Sequence, residues 1–354
     1  MSNPDPYNPD GGLSADQVPT GEEAPFLISS DIEETRQERW KKLYRVYVAT
    51  PFSIIKSDWR AVFGLTVLSI YVVLAVYSVF FVEPTTVGDG AVFVQPFQTM
   101  EHPFGTDIVG RDLFAMTLHS IIPILQMITA GGLFVVIVGT FFGVTAGYTG
   151  GSIDTTLSTI TDTFINLPGL PLVIVLAVIF EPTNPYLVGI LLSVAAWAGL
   201  ARALRSQVLT LRAESFTEAS RAMGIPKYSI MIKDILPHLA PYLVINLMNA
   251  ARRVIFAAVG LYFLGVFPVE DLNWGVVLNQ AYQNGAHYRP AAAHWLLVPM
   301  IAIIFISVAL VLLGQSLDRV FNPRVRARHA ERAEGDPGDE ERQVDKSSEL
   351  MGQI

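Results

Sequence analysis

Residues 218–237 read E-A-S-R-A-M-G-I-P-K-Y-S-I-M-I-K-D-I-L-P and stand between two long apolar runs. A linker joining two spans could be short and featureless. This one carries charges at Glu218, Arg221, Lys227, Lys233 and Asp234, with a glycine–proline break at its middle. Residues 218–223 are good helix formers, and Gly224 then permits a tight or left-handed turn. Pro226 suits the first turn of a second helix, where its missing donor is not needed. That second segment sets Tyr228, Ile230, Met231, Ile235 and Leu236 among its charges, so it is short and amphipathic. Pro237 and Pro241 mark the return to apolar sequence. The pattern predicts helix–glycine–helix, either an apolar knob for a partner's groove or a pair lying on lipid headgroups.

The flanking sequence decides the class. Of 354 residues 51% are hydrophobic and 16% charged, with a mean hydropathy of +0.42; soluble domains carry roughly 25% charged residues. Apolar runs at 61–82, 121–148, 157–180, 186–204, 241–266 and 295–313 each approach or exceed the ~20 residues that cross a bilayer. The expectation is an all-α polytopic membrane protein with six transmembrane helices and both termini on one side.

Basic residues orient it. Seven lie at 36–60, six at 202–233 and seven at 319–346, whereas the long loops of the other face hold only Arg111 and Arg289. By the positive-inside rule both termini and the 218–237 loop are cytoplasmic. The net charge of −8 comes largely from the tails, with nine acids in 1–40 and eight in 331–354. Such acidic, Gly/Pro/Ser-rich tails (1–45 and 321–354) are expected to be disordered, and they suit either high salt or ordinary solvation. Between them lie the first span with its external loop (46–120) and a core of five spans (121–320) containing the loop at 210–240. The start lacks a signal peptide's basic and apolar regions. With no cysteine and no H-x3-H or HExxH spacing among the six histidines, neither a metal site nor a cofactor is expected.

Two spans carry special patterns. Gly139, Gly143 and Gly147 recur every four residues, a stripe that lets helix backbones approach closely. Pro168 and Pro171 flank Gly169 within the third apolar run, so a kink is expected there. Irregular backbone at membrane depth is tolerated where it faces protein or a watery cavity, which makes this a candidate pathway helix.

The 218–237 stretch resembles the EAA loop of ABC importer permeases, E-A-A-x3-G-x9-I-x-L-P. Glu218, Ala219, Gly224, Leu236 and Pro237 match in register, Ser220 replaces the second alanine, and Asp234 stands at the isoleucine position. A second segment, H-P-F-G-T-D-I-V-G-R-D at 102–112, resembles the external motif of the C-type subunit of dipeptide, oligopeptide and nickel importers through His102, Gly105, Asp107, Gly110, Arg111 and Asp112. Read without the resemblance, it is a Gly-rich loop with a turn at Gly105 and an Arg111–aspartate salt bridge. G-Y-T-G-G-S-I-D at 147–154, F-L-G at 263–265, W-G at 274–275 and N-P-R at 322–324 extend the likeness over 50–324. The resemblance implies a type I ABC importer permease fold and a prokaryotic cell-membrane subunit without catalysis of its own. It further implies a second permease (a heterodimer), two ABC ATPases docking on the loops of the two permeases (on this chain through Glu218, Ala219, Ser220, Gly224, Ile225, Leu236 and Pro237), and an extracytoplasmic substrate-binding protein. No P-loop is present, since none of the six lysines follows a glycine. Membrane lipid is a partner and nucleic acid is not. Glu218 is expected to bond to a basic residue of the ATPase or to cap its own helix.

Arg252 and Arg253 depart from that family. About twelve residues into the fifth run, they fall near the bilayer midplane. Adjacent helical residues point about 100° apart, so one is expected to line the pathway and meet an anionic group while the other meets a partner's acid; structural pairing of both at the subunit interface is the other reading. Peptides lead as substrate, with nickel and oligosaccharides behind. A secondary transporter or channel is the rival class, although no internal repeat supports it.

Overall fold

The computed structural model describes residues 58–267 and 272–321. The two acidic tails, most of the N-terminal basic collar and the N-P-R motif lie outside them.

Among the described residues the chain is helical, with one isolated β-bridge between Thr106 and Asp112. Helix α1 (Trp59–Phe81) starts where the Asp58 carboxylate accepts from the Arg60 N–H at 3.0 Å. Its 23 residues exceed the ~20 needed to cross a bilayer, and side chains such as Val73, Phe80 and Phe81 face outward. Helices α2 (Leu113–His119) and α3 (Ile121–Thr149) form a second continuous apolar stretch. Then come α4 (Gly151–Asn166), α5 (Gly169–Phe180), α6 (Pro185–Leu192) and α7 (Trp197–Leu211). The docking-loop candidate holds α8 (Ser215–Ala222) and α9 (Lys227–Ile230), and α9 runs through a π-turn at Met231–Ile235 into α10 (Leu236–Phe263). Helix α11 (Trp274–Gln283), two short 3-10 turns and α12 (Ala293–Phe321) complete the order.

Four helical stretches are long and apolar enough to span a membrane, and two bent pairs bring the number to six if each pair is one span. The expected third span is α4 plus α5, and the kink expected at Pro168 and Pro171 is a full break: the two helices meet at 88°. Pro168 caps α5 and Pro171 lies in its first turn, where a missing N–H leaves no carbonyl unpaired. The expected fourth span, 186–204, is also divided. Helices α6 and α7 meet at 58° across residues 193–196.

The glycine stripe forms the central seam. Added Cβ atoms at Gly139, Gly143 and Gly147 would fall 3.1, 2.5 and 2.8 Å from Trp197, Ala201 and Arg205 carbonyl oxygens, so α3 and α7 run in backbone contact. The seam continues where Gly189 of α6 sits against the Met127 backbone and Gly131 against the Gly189 carbonyl. On its other side α3 packs against α10, with Val254, Ile255 and Ala258 buried beside Ile124, Met127 and Ile128. Gly64 lets α1 approach the Ala309 carbonyl of α12.

Candidate functional site

The docking loop is built by local rules. Gly224 has φ +73°, and the Gly224 and Ile225 N–H groups donate to the Arg221 and Ser220 carbonyls at 3.0 and 3.2 Å. This is a left-handed glycine cap ending α8, the turn expected from the sequence. Pro226 is the N-cap of α9 and not its first helical residue. The larger difference is beyond it. The second segment is no separate helix lying on a surface but the first turns of the helix that becomes α10, and Pro237 and Pro241 lie inside this continuous helix. A proline ring clashes with the carbonyl four residues back, and the π-turn widens the helix just before Pro237, where the Leu236 N–H reaches back to the Met231 carbonyl.

The inner face of this segment is anchored: Ile230, Ile235 and Leu239 are at most 1% exposed and pack with Tyr148 at the end of α3 and with Leu204 and Val208 of α7. Its outer face is free. Met223, Tyr228 and Ile232 are 71%, 66% and 60% exposed, and Glu218, Ala219 and Pro237 are exposed with them. Glu218 is not the cap of α8, a position held by Glu214, and no described residue bonds its side chain. Ile225 and Leu236 are half-buried. Ser220 and Asp234, the two positions that depart from the loop pattern, meet: the Ser220 hydroxyl donates to Asp234 Oδ2 at 2.8 Å. Beside them Phe216 stacks on His238 with centroids 4.8 Å apart. The two halves of the loop are therefore tied by side chains as well as by Gly224.

On the opposite end the 102–112 motif is a knot. Asp107 is fully buried; Oδ1 accepts from the Val109 and Arg111 N–H groups at 2.9 Å, and Oδ2 from Arg111 Nε at 2.7 Å. Arg111 also donates to Gln280 Oε1 of α11 at 2.7 Å, a partner the sequence did not reveal. Asp112 caps α2 through the Phe114 and Ala115 N–H groups and lies 3.7 Å from His102 Nδ1. Burial pushes the Asp112 carboxyl above its ordinary range, opposed by those two N–H bonds and by His102. Gly105 and Gly110 have φ of +82° and +75°, and side chains there would strike the Val94 and Gly90 carbonyls. The local reading of this segment, a Gly turn with an Arg111–aspartate bridge, is what forms. The other motifs also have packing roles: Trp274 is buried with Nε1 donating to the Thr117 carbonyl, and Gly275 abuts Tyr262.

Sequence reading missed the clamp between α4 and α7. Arg205 Nε and Nη2 donate to Asp154 Oδ1 and Oδ2 at 2.6 and 2.7 Å, and Arg202 reaches Asp162 at 2.5 Å. Asp154 and Asp162 lie eight residues apart, hence near one helical face; that spacing was the available signal.

The pathway candidates share one region. Pro168 and Pro171 are exposed at the break between α4 and α5. A groove of about 430 Å³ runs from Leu167 and Gly169 past the second break, at Ala195 and Ala196, to Ala257 of α10. Arg253 is exposed on that helix and Arg252 is half-buried, with its Nε shielded and unbonded. Neither has a hydrogen-bond or ion-pair partner among the described residues. An arginine at the mid-membrane depth expected from the sequence costs on the order of 2.5–3.5 kcal/mol on insertion scales, so an unpaired one calls for a counter-charge from beyond the described residues.

Bent spans around an open groove, a glycine-seamed core and a rigid projecting loop define a helical membrane permease. The chain belongs to the family of binding-protein-dependent transport system inner membrane components, whose pattern matches residues 139–327. It is similar to the dipeptide transport system permease protein DppC of Bacillus subtilis, 28% identical over 283 residues covering 79% of this chain and 87% of the relative. The oligopeptide transport system permease protein OppC of Haemophilus influenzae is 30% identical over 231 residues, 64% of this chain and 73% of the relative. OppC of Lactococcus lactis subsp. cremoris is 28% identical over 285 residues, 77% and 94% respectively. The chain is thus a multi-pass permease subunit of an ABC importer, a component that is not itself the catalytic subunit.

Proposed function

We propose that this subunit forms, with a second permease, the membrane pathway of an importer for dipeptides or oligopeptides. Two ABC ATPases dock on the loops of the two permeases, one of them on this chain's loop at 218–237, an extracytoplasmic binding protein delivers substrate to the other face, and both termini are cytoplasmic. The single observation that carries the coupling role is the loop's two-sided construction. Its apolar outer face (Met223, Tyr228, Ile232) is free while its inner face is fastened to α3 and α7, so a push on the knob is transmitted to the central seam as a rigid-body motion. The basic residues clustered at this end support its cytoplasmic placement. The names of the relatives support peptides as cargo.

The test is ATP hydrolysis and uptake by the complex purified through this subunit and reconstituted with its binding protein, comparing peptides, nickel and oligosaccharides. Stimulation by peptides is expected. Gly224→Asp, which places a side chain on a left-handed backbone at the hinge, is expected to leave hydrolysis running while uptake falls. Normal uptake in that variant would remove the loop from the coupling path, and stimulation by nickel or sugar alone would replace the cargo.

A further inference from the structure

We infer that Arg253 binds the carboxylate of the transported peptide within the membrane, an inference that rests on the peptide-importer reading above. Its guanidinium is permanently charged and has no partner among the described residues. It stands one helical turn, about 6 Å along α10, from Ala257, which lines the groove between the two broken spans. The rest of that wall is small or apolar, from Gly169, Ala195, Ala196 and Gly199 to Phe164 and Leu261, and none of its side chains carries a charge. Irregular backbone in two separate spans therefore meets at one apolar groove, with the unpaired Arg253 guanidinium one helical turn from its wall. Discontinuous spans gather where transporters hold their cargo, and a guanidinium matches a carboxylate by two parallel N–H bonds. Arg252, about 100° away around the helix, is half-buried with a shielded Nε. Only Arg253 combines exposure with this groove face.

The chain contains no cysteine, so Arg253→Cys introduces one thiol on this subunit, with the wild-type chain in the same complex as control. In proteoliposomes, ATP-driven uptake of a free-acid peptide is expected to fall at least about tenfold, the scale of one lost charge-assisted hydrogen bond. A trimethylammonium-ethyl thiosulfonate should restore much of it by returning the positive charge, a sulfonatoethyl reagent should not, and excess peptide should protect the thiol from both. Arg253→Lys, which keeps the charge without the fork, should fall between. A thiol that no reagent reaches in an assembled complex, or a variant whose permease pair falls apart, would assign Arg253 to a partner subunit's acid and overturn the inference. Equal effects of the two reagents would overturn it too. A wild-type complex that hydrolyses ATP but imports no peptide would overturn the peptide reading itself, and this inference with it.

Discussion

Replacing Gly143 by alanine tests whether the α3–α7 seam is close-packed. The new Cβ would lie 2.5 Å from the Ala201 carbonyl oxygen and 2.7 Å from Leu204 Cβ, where ordinary contact begins at 3.4 Å. Both obstacles belong to the facing helix at its closest point, so no rotamer change relieves them and the helices must part by close to 1 Å. Overpacking of this kind costs about 1–3 kcal/mol, and a backbone obstacle sets the upper part of that range. Against it, alanine gains about 1 kcal/mol over glycine in a helix interior. The net is about 2 kcal/mol of destabilisation. Gly199→Ala supplies the control on the same seam helix, because nothing lies within 4 Å of its added Cβ. There the helix term acts alone, and about 1 kcal/mol of stabilisation is expected. The assay is thermal unfolding of the purified complex in lipid nanodiscs, with the wild type alongside. Opposite signs for the two alanines are the expected result. Equal shifts in one direction would refute the contact geometry assigned to the seam.

Ser220→Ala and Asp234→Ala should each cost about 1 kcal/mol, with a coupling of similar size in the double variant; additive effects in unfolding measurements would mean that the hydroxyl and carboxylate do not interact. Asp107→Ala strips Arg111 and two N–H groups of their buried acceptor and should cost about 3–5 kcal/mol, read as earlier melting and faster proteolysis within 82–112. Asp107→Asn, which keeps an acceptor, should cost clearly less. The Asp112 carboxyl is raised above its unfolded value by burial, so its favourable contribution is full below the unfolded value and disappears as pH rises through the folded one. Asp112→Asn keeps the helix cap, since asparagine caps as well as aspartate. It should therefore gain stability relative to wild type at neutral pH and lose that advantage in acid. Asp112→Ala, without a cap, should lose about 1 kcal/mol throughout. Pairwise melting curves at both pH values check this, and an asparagine variant that gains only in acid would reverse the assigned cause.

The sequence by itself determined much of this protein, because its signals are local or periodic. Apolar run length specified where the membrane stretches lie. A four-residue glycine repeat specified which face of α3 meets a neighbour, since helix periodicity converts spacing into direction. Gly224 and Gly105 marked turns because other residues resist the left-handed backbone both adopt. The Arg111–aspartate bridge was legible for the same reason, its partner Asp107 being four residues away.

Tertiary structure decided what depends on long-range neighbours. Two prolines predicted a bend, but that it is an 88° break between α4 and α5 is visible only in the fold. Pro237 and Pro241 look like helix boundaries in a sequence, yet the inner-face anchors Ile230, Ile235 and Leu239 hold the helix together through them, with a π-turn absorbing the steric conflict. Ser220 and Asp234 read as two unrelated departures until folding placed them 2.8 Å apart. The Asp154–Arg205 clamp spans 51 residues, a separation at which sequence spacing carries no geometric information. Arg252 and Arg253 were conspicuous from the start; that Arg253 is exposed and Arg252 half-buried depends on how α10 packs against α3, which only the fold could show.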